Sequence, residues 1–190
     1  MKAIAVLCAL CLGFSVQDLT LCDAIGRLKP TRKLEFRPEI KNGFITSEAI
    51  KITPKWNAEL FPTSELNDGY IVSKFKISDK RTGIISQVET REGESNISSC
   101  YLHVVENCKT LRTFKIMTRD NDVIIYEIAS EFDADFRNIL IRTEHSSELQ
   151  TDAKAIDTVF TEEVKIDLTS PKFDTISRKK SFYFLSDPPK

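Results

Sequence analysis

The sequence lacks the short motifs that mark many enzyme active sites. It contains no Gly-x-Ser-x-Gly, no His-Glu-x-x-His and no glycine-rich phosphate loop. Histidine is scarce, with two residues in a chain of 190. His103 falls within a predicted strand and His145 just after one, where either could act as a base or as a haem ligand. A single strand histidine is more often a satisfied or exposed side chain, so we expect no enzyme activity and no cofactor.

An excess of charge of one sign and a late apolar run are also absent. The chain has 27 basic and 28 acidic side chains, for a net charge of −1. This balance gives no general nucleic-acid footprint. Beyond the first residues, no apolar run approaches the roughly 20 residues that a membrane-spanning helix needs. We therefore expect neither a nucleic-acid partner nor a membrane span.

The first residues have the composition of a secretory signal. Lys2 precedes the apolar run Ala3–Phe14, and small residues near the end of this run fit a cleavage site. We expect a signal peptide over residues 1–15 and a single domain over residues 16–190, exported to an oxidising, extracellular environment. A buried first strand is the alternative explanation of the apolar run.

Three cysteines remain after the predicted signal peptide, and an odd number predicts one disulfide and one further thiol. A bridge from Cys22 to Cys100 or Cys108 would tie the amino-terminal arm to the body, contributing roughly 4 kcal/mol in the chain-entropy model. The competing pairing is local, because Cys100 and Cys108 flank a predicted turn at Glu106-Asn107. We expect Cys22 to be bridged, and the sequence alone leaves its partner open.

Much of the chain consists of short segments rich in Ile, Val, Phe and Tyr, separated by polar turns. This pattern is typical of antiparallel strands joined in a meander. We expect eight strands: Phe44–Thr53, Trp56–Phe61, Tyr70–Ile77, Ile84–Thr90, Cys100–Val105, Leu111–Thr118, Val123–Ser130 and Arg137–Thr143.

A single helix is predicted near Thr151–Leu168. Ala153, Ile156, Phe160 and Val164 fall three or four residues apart and would form one apolar stripe. One such helix has one face to bury, against a sheet. The expected fold is all-β and mainly antiparallel: an eight-stranded up-and-down β-barrel with one C-terminal α-helix packed outside.

At this point the chain resembles the lipocalin family along nearly all of its exported part. Four segments look like family segments in the expected order: Phe36–Ile45, Leu66–Val72, Met117–Asp122 and Ile139–Thr143. Gly43 stands at the family's early glycine and Arg142 at its last-strand arginine. The family's early tryptophan is replaced by Ile45, and its late cysteine is missing. The resemblance implies a divergent secreted lipocalin, of the kind found in arthropod saliva.

The barrel that the resemblance implies would hold a small hydrophobic ligand. Side chains alternate across a strand, so Ile71 and Phe75 should share one face, and Phe114 should face Tyr126 on the neighbouring strand. The candidate ligand-binding residues are Trp56, Ile71, Phe75, Phe114, Ile116, Tyr126 and Ile128. The same positions fit a solid core equally well, because periodicity does not distinguish a cavity from a core.

Several polar motifs are predicted to be surface features. Asn96-Ile97-Ser98 is a glycosylation sequon, expected in an accessible loop. Glu162-Glu163 and Asp120-Asn121-Asp122 are better explained as a solvated face and a turn than as catalytic carboxylates or a calcium loop. Arg178-Lys179-Lys180 could meet an anionic partner, although a solvated charged run explains it more simply.

These inferences lead to two main functional hypotheses and to a third, weaker one, an enzyme that depends on His103 or His145. The first is a secreted, monomeric binding protein that carries or sequesters a small hydrophobic ligand, whose identity among fatty acids, sterols, amines, pigments and haem is open. The second is a secreted interaction protein or inhibitor, in which the barrel is a scaffold and the outer surface binds a protein target such as a protease or receptor. Haem binding is a minor variant of the first hypothesis.

Overall fold

The computed structural model describes residues 20–38, 49–61, 68–92, 95–120, 126–149 and 156–184. These residues form two helices, α1 (Leu21–Arg27) and α2 (Pro54–Leu60), and ten strands. The strands are β1 (Glu35–Phe36), β2 (Ile50–Lys51), β3 (Asp68–Lys76), β4 (Arg81–Glu92), β5 (Ser95–Glu106), β6 (Lys109–Asp120), β7 (Tyr126–Phe132), β8 (Asn138–Leu149), β9 (Ile156–Asp167) and β10 (Thr175–Phe184). The expected all-β, antiparallel class is confirmed. The predicted signal peptide lies outside the described residues.

The strands form one sheet in the order β10-β9-β8-β7-β6-β5-β4-β3-β2, with β1 paired to β7 off this path. The two ends of the path do not pair, so the prediction of a closed eight-stranded barrel is wrong. Strand β6 pairs with β7 only from Tyr126 to Ile128, after which β1 takes the same edge of β7. The sheet therefore divides into two halves, β2–β6 and β7–β10, that fold over each other.

The amino-terminal segment 29–36 lies between these halves. Thr31 N donates to Lys74 O of β3 at 2.7 Å, and Phe132 N of β7 donates to Leu34 O at 2.7 Å. Backbone hydrogen bonds thus connect this segment to both halves. The segment thus connects β3 with β7, whereas the end strands of the described path, β2 and β10, do not pair with each other.

The space between the halves is filled by an inner core. Phe75 of β3 lies edge-on to Phe132 of β7, with ring centroids 5.0 Å apart, and stacks on Phe136 at 4.5 Å. Leu102 and Ile139, from opposite halves, are also fully buried in this core. Each such side chain contributes roughly 1.5–3 kcal/mol on leaving water.

A second core lies on the other face of β3–β5, beneath the two helices. It includes Leu21 and Ala24 from α1, Trp56 and Leu60 from α2, and Ile84 from β4. Both faces of β3–β5 therefore carry buried side chains.

The prediction of a strand at Trp56–Phe61 is wrong, because these residues belong mainly to α2. Thr53 caps the helix by accepting from Trp56 N, and Pro54 occupies the first turn. Trp56 and Leu60 are four residues apart, which places them on one helix face. The Thr-Pro start signal was present in the sequence and favours a helix.

The prediction of a helix near Thr151–Leu168 is wrong over the described residues 156–167, which form β9. This strand pairs with β8 along its full length and with β10 on its other side. Ile156, Phe160 and Val164 are four residues apart, and a spacing of four also keeps residues on one face of a strand. The β-branched residues of this segment favour the strand.

Cys22 and Cys108 form a disulfide that ties α1 to the turn between β5 and β6, and Cys100 is a buried free thiol. The turn residues Asn107 and Cys108 both have positive φ, as a two-residue type I′ hairpin requires. The expected stapling of the amino-terminal arm is confirmed, and the local pairing of Cys100 with Cys108 is wrong.

Replacing both Cys22 and Cys108 with Ser should lower the free energy of unfolding by roughly 3–5 kcal/mol, because the reduced chain regains the entropy of a loop of 86 residues. Urea denaturation followed by circular dichroism measures the loss. A Cys100→Ala variant keeps the bridge and is the control for altering a cysteine. A linked Cys100–Cys108 peptide in a non-reducing digest would contradict the assignment.

Gly83→Ala should destabilise the protein by about 1–3 kcal/mol, because an added Cβ would collide with the ring of Phe75 and overpack the inner core. Gly26→Ala is the matched control, since a Cβ there meets open space on α1 and alanine favours the helix. Equal unfolding midpoints in urea for both variants would contradict the packing of Phe75 on Gly83.

Candidate functional site

The residues predicted to bind a ligand do not share one cavity. Trp56 and Ile71 lie in the core beneath the helices, whereas Phe75 and Ile116 lie in the inner core. The expectation that Ile71 and Phe75 share a face is wrong. The pairing of β3 with β4 shifts between Ile71 and Ser73, and this one-residue bulge reverses the side on which the following residues point.

Phe114 and Tyr126 are not opposite each other, contrary to the prediction. Phe114 pairs with Leu102 of β5, and its ring lies edge-on to Phe173 with centroids 5.7 Å apart. Tyr126 pairs with Asp120 at the end of β6 and is 38% exposed. The two residues are thus at different levels of the sheet, and only Phe114 packs against the inner core. Ile128, two residues after Tyr126, is buried.

The described depressions on the protein are open and charged. One of about 230 Å³ lies on the outer face of β7 and β8 and includes Arg37, Glu127, Glu131 and Arg142 in its lining. Charged side chains hold water, so this depression suits an apolar ligand poorly.

His103 belongs to a buried polar network. Its Nε2 lies 2.7 Å from Ser86 Oγ and its Nδ1 lies 2.9 Å from Thr113 Oγ1, which in turn donates to Leu60 O at 2.9 Å. Because the Thr113 hydroxyl donates to a carbonyl, it accepts from Nδ1–H, and Ser86 donates to Nε2. The network fastens the end of α2 to β5 and β6.

This network has the residue types of a nucleophile and its base, but its surroundings do not suit catalysis. Ser86 and His103 are both fully buried, and burial lowers the pKa of His103 to about 3. Both ring nitrogens are occupied by hydroxyl groups, which leaves neither nitrogen open to a haem iron. His103 is thus a satisfied core histidine.

A row of exposed aromatic side chains crosses strands β7 to β10. Tyr126, His145, Phe160 and Phe182 are directly paired from β7 to β10, so their side chains point to the same face. The rings of His145 and Phe160 stack with centroids 5.3 Å apart, and Phe182 lies 6.4 Å from Phe160. Phe184 continues the series at 5.8 Å from Phe182. These five residues are called the aromatic row.

The aromatic row is solvent-exposed although it contains large apolar side chains. The exposed fractions are 37% for Phe160, 62% for Phe182 and 60% for Phe184. The row continues the face that carries Ile139 and Ile166 of the inner core, at the other end of the same strands. Contiguous exposed apolar patches of this kind often mark a binding site for a protein or another ligand.

Strand β10 forms one of the two edges of the sheet, and it is exposed. Every one of its ten residues is exposed, and among the described strands it pairs only with β9. Arg178-Lys179-Lys180 lies at its centre, between Ile176 and the aromatic residues 182–184. Unprotected strand edges are a ready template for pairing with another chain.

The cations of β10 are only partly balanced by its own sheet. Arg178 Nε and Lys180 Nζ lie 3.4 Å and 3.7 Å from the same oxygen of Glu162. On the other face, Lys179 pairs in register with Glu163, whose carboxylate already accepts from Arg142 Nε at 2.9 Å. Two cations therefore share one carboxylate on the face of Arg178 and Lys180, whereas on the other face Glu144 lines the same depression as Lys179, Arg142 and Glu163.

Sequence reasoning placed the cations of β10 on the surface and missed the aromatic row. The spacing of apolar residues places Phe160 on the buried stripe of a predicted helix, and a helix there excludes the pairing of Phe160 with Phe182. The crowding of aromatic residues at 182–184 beside a basic run was the available signal. The sequon residue Asn96 lies in β5 opposite Arg91, so its predicted loop position is wrong, and its glycosylation stays a prediction.

No family model, curated protein or solved structure matches the chain, and the resemblance to lipocalins stays a prediction. Neither helix in the described part of the chain is long and apolar enough to cross a membrane. Within the same residues, no group of three or more His, Cys, Asp or Glu side chains could hold a metal ion.

The buried His103 predicts a pH dependence of stability. Its pKa is lowered from 6.5 to about 3 in the folded protein, so the unfolded state binds a proton first as the pH falls. The stability that neutral His103 contributes is fully present above pH 6.5 and should be lost progressively between pH 6.5 and about 3. Urea midpoints for wild type and His103→Gln should converge as the pH falls through this window. Parallel midpoints would contradict the assignment.

Proposed function

We propose that this chain is a secreted interaction protein that binds a protein partner through the aromatic row and the exposed strand β10. The observation that carries the proposal is the row of five exposed rings ending on an edge strand. The predicted signal peptide supports export, and the Cys22–Cys108 disulfide is compatible with an oxidising environment.

The energetics of the surface support this proposal. Burying Phe160, Phe182 and Phe184 under a partner would contribute roughly 1.5–3 kcal/mol for each ring. Association costs about 4–15 kcal/mol in lost translational and rotational freedom, so a cluster of rings offsets a substantial part of that cost. Aromatic side chains are also the most common energetic centres of protein interfaces.

Carriage of a small hydrophobic ligand is the second candidate, as the lipocalin resemblance implies. The filled inner core, where Phe75, Phe132 and Phe136 contact one another, supports it poorly. One observation favours it: Tyr126, a predicted ligand-binding residue, belongs to the aromatic row. A flat apolar molecule could lie on the stacked rings of His145 and Phe160.

The double change Phe182→Ser and Phe184→Ser tests the first candidate. It should weaken binding of the partner by tenfold or more, because two exposed rings each contribute about 1 kcal/mol or more at an interface. The free energy of unfolding should change by less than about 1 kcal/mol, since both side chains are exposed. The partner is first identified by cross-linking in the natural secretion, and affinities are then measured by surface plasmon resonance.

Leu111→Ser is the matched control, because Leu111 is 43% exposed and lies on β6, outside the proposed surface. Equal affinities for wild type and the double variant would exclude this surface. Native mass spectrometry of the secreted protein examines the second candidate. A bound small molecule that is lost in a Phe160→Ser variant, with no bound protein, would favour ligand carriage instead.

A further inference from the structure

We propose that β10 accepts an extended segment of the partner as an additional antiparallel strand, with acidic residues opposite Arg178-Lys179-Lys180 and apolar residues opposite Phe182-Tyr183-Phe184. This inference rests on the proposed function and specifies how the partner binds. It assigns the backbone edge of β10, and not only its side chains, to recognition.

The backbone of β10 provides the first argument. The strand is ten residues long, and a typical strand has about 5–6 residues. In an antiparallel pair alternate residues turn their N–H and C=O groups toward the neighbour, so the remaining groups of β10 point away from β9. The pairing with β9 is regular from Ser177 to Phe184, and its one register shift lies between Thr175 and Ser177. A regular edge of this length can pair with a whole added strand.

Charge provides the second argument and identifies the kind of partner. Glu162 is shared between Arg178 and Lys180, and Glu163, the register partner of Lys179, forms an ion pair with Arg142. The centre of the edge therefore carries an excess of positive charge. Opposite charges on directly paired positions stabilise neighbouring strands, so an incoming strand with central acidic residues is favoured.

A second copy of this chain is disfavoured by the same charges. Full antiparallel overlap of two β10 strands would place Lys179 opposite Lys180 of the other copy, with both basic runs at the centre. Like charges in directly opposed positions are destabilising. Lysine on an exposed edge is also a common device against self-association. The edge is thus protected from copies of itself and open to an acidic strand.

The aromatic end of β10 determines the order of apolar and acidic residues along the added antiparallel strand. Phe182 and Phe184 point to the face of the aromatic row, and Tyr183 points to the opposite face. Partner residues opposite Phe182 and Phe184 meet apolar surface on the face of the aromatic row, whereas those opposite the centre meet cations. An antiparallel partner segment should therefore be apolar first and acidic next along its own chain.

The test uses a synthetic peptide of the same length as β10, with valine and threonine at both ends and three central glutamates. Fluorescence anisotropy measures its affinity for the full protein, and amide hydrogen exchange measures protection along β10. We expect binding to protect every second amide of β10, because only alternate N–H groups face the added strand. A peptide with three central lysines, and one with a central proline that cannot donate, should each bind at least about tenfold more weakly.

Charge reversal in the protein gives the matched comparison. Arg178→Glu, Lys179→Glu and Lys180→Glu together should weaken binding of the glutamate peptide about tenfold or more, from three lost cross-strand pairs. The control changes Lys55, Lys80 and Lys109 to Glu, three exposed lysines outside β10, and shifts the net charge equally. Equal weakening in both variants would mean that only general charge attraction acts, and would overturn the proposal.

Other results would also overturn it. Failure of the glutamate peptide to bind, or binding without alternate amide protection, would exclude strand addition. If the β10 amides are protected in the absence of peptide, and this protection increases with protein concentration, a second copy of the chain occupies the edge. The proposed function is tested separately by the Phe182→Ser and Phe184→Ser variant against the cross-linked partner. If partner binding depends on those rings but no strand is added to β10, the proposed function holds and only the strand-addition proposal is wrong.

Discussion

The contact of Phe75 with Phe132 and Phe136 holds together the two halves of the sheet. These rings come from β3, from β7 and from the turn that follows β7, and they meet because the sheet folds over where β6 leaves β7. Other features serve this contact. Gly83 leaves room for the ring of Phe75, and segment 29–36 bonds to both halves. The Cys22–Cys108 disulfide fixes the helix from which that segment begins. A filled interior and an open sheet are thus two consequences of one packing arrangement.

The strand-rich class and most strand positions could be predicted from alternating apolar residues and polar turns, because both signals are local. The errors arose where one local pattern fits two structures. A spacing of four residues in 156–164 fits one face of a helix and also one face of a strand, and only pairing with β8 and β10 decides between them. The bulge after Ile71 leaves no signature in composition, yet it sends Ile71 and Phe75 to opposite cores. The aromatic row depends on the register between strands that are distant in sequence, and local sequence patterns do not reveal this register.

The two halves of the sheet differ in how much of their surface is buried. Strands β3–β5 are buried on one face by the inner core and on the other by α1 and α2, so Ile84 and Ile85 are adjacent in sequence and both fully buried. Strands β9 and β10 are progressively more exposed, and β10 has no buried residue. Substitutions on β10 should therefore cost little stability. A surface that evolves without damaging the fold is well placed to bind a partner.

An open sheet has two edges, and in this protein they differ in length and in how their backbone groups are protected. The β2 edge is two residues long, and the backbone beside it on β3 is bonded by segment 29–31. It therefore offers little to an incoming strand. The β10 edge is ten residues long, and within the described chain only cations at its centre oppose another strand. Steric protection would exclude every partner, whereas charge excludes only partners of the same sign. If a partner adds a strand to this sheet as proposed, the two edges direct it to β10 and select an acidic segment.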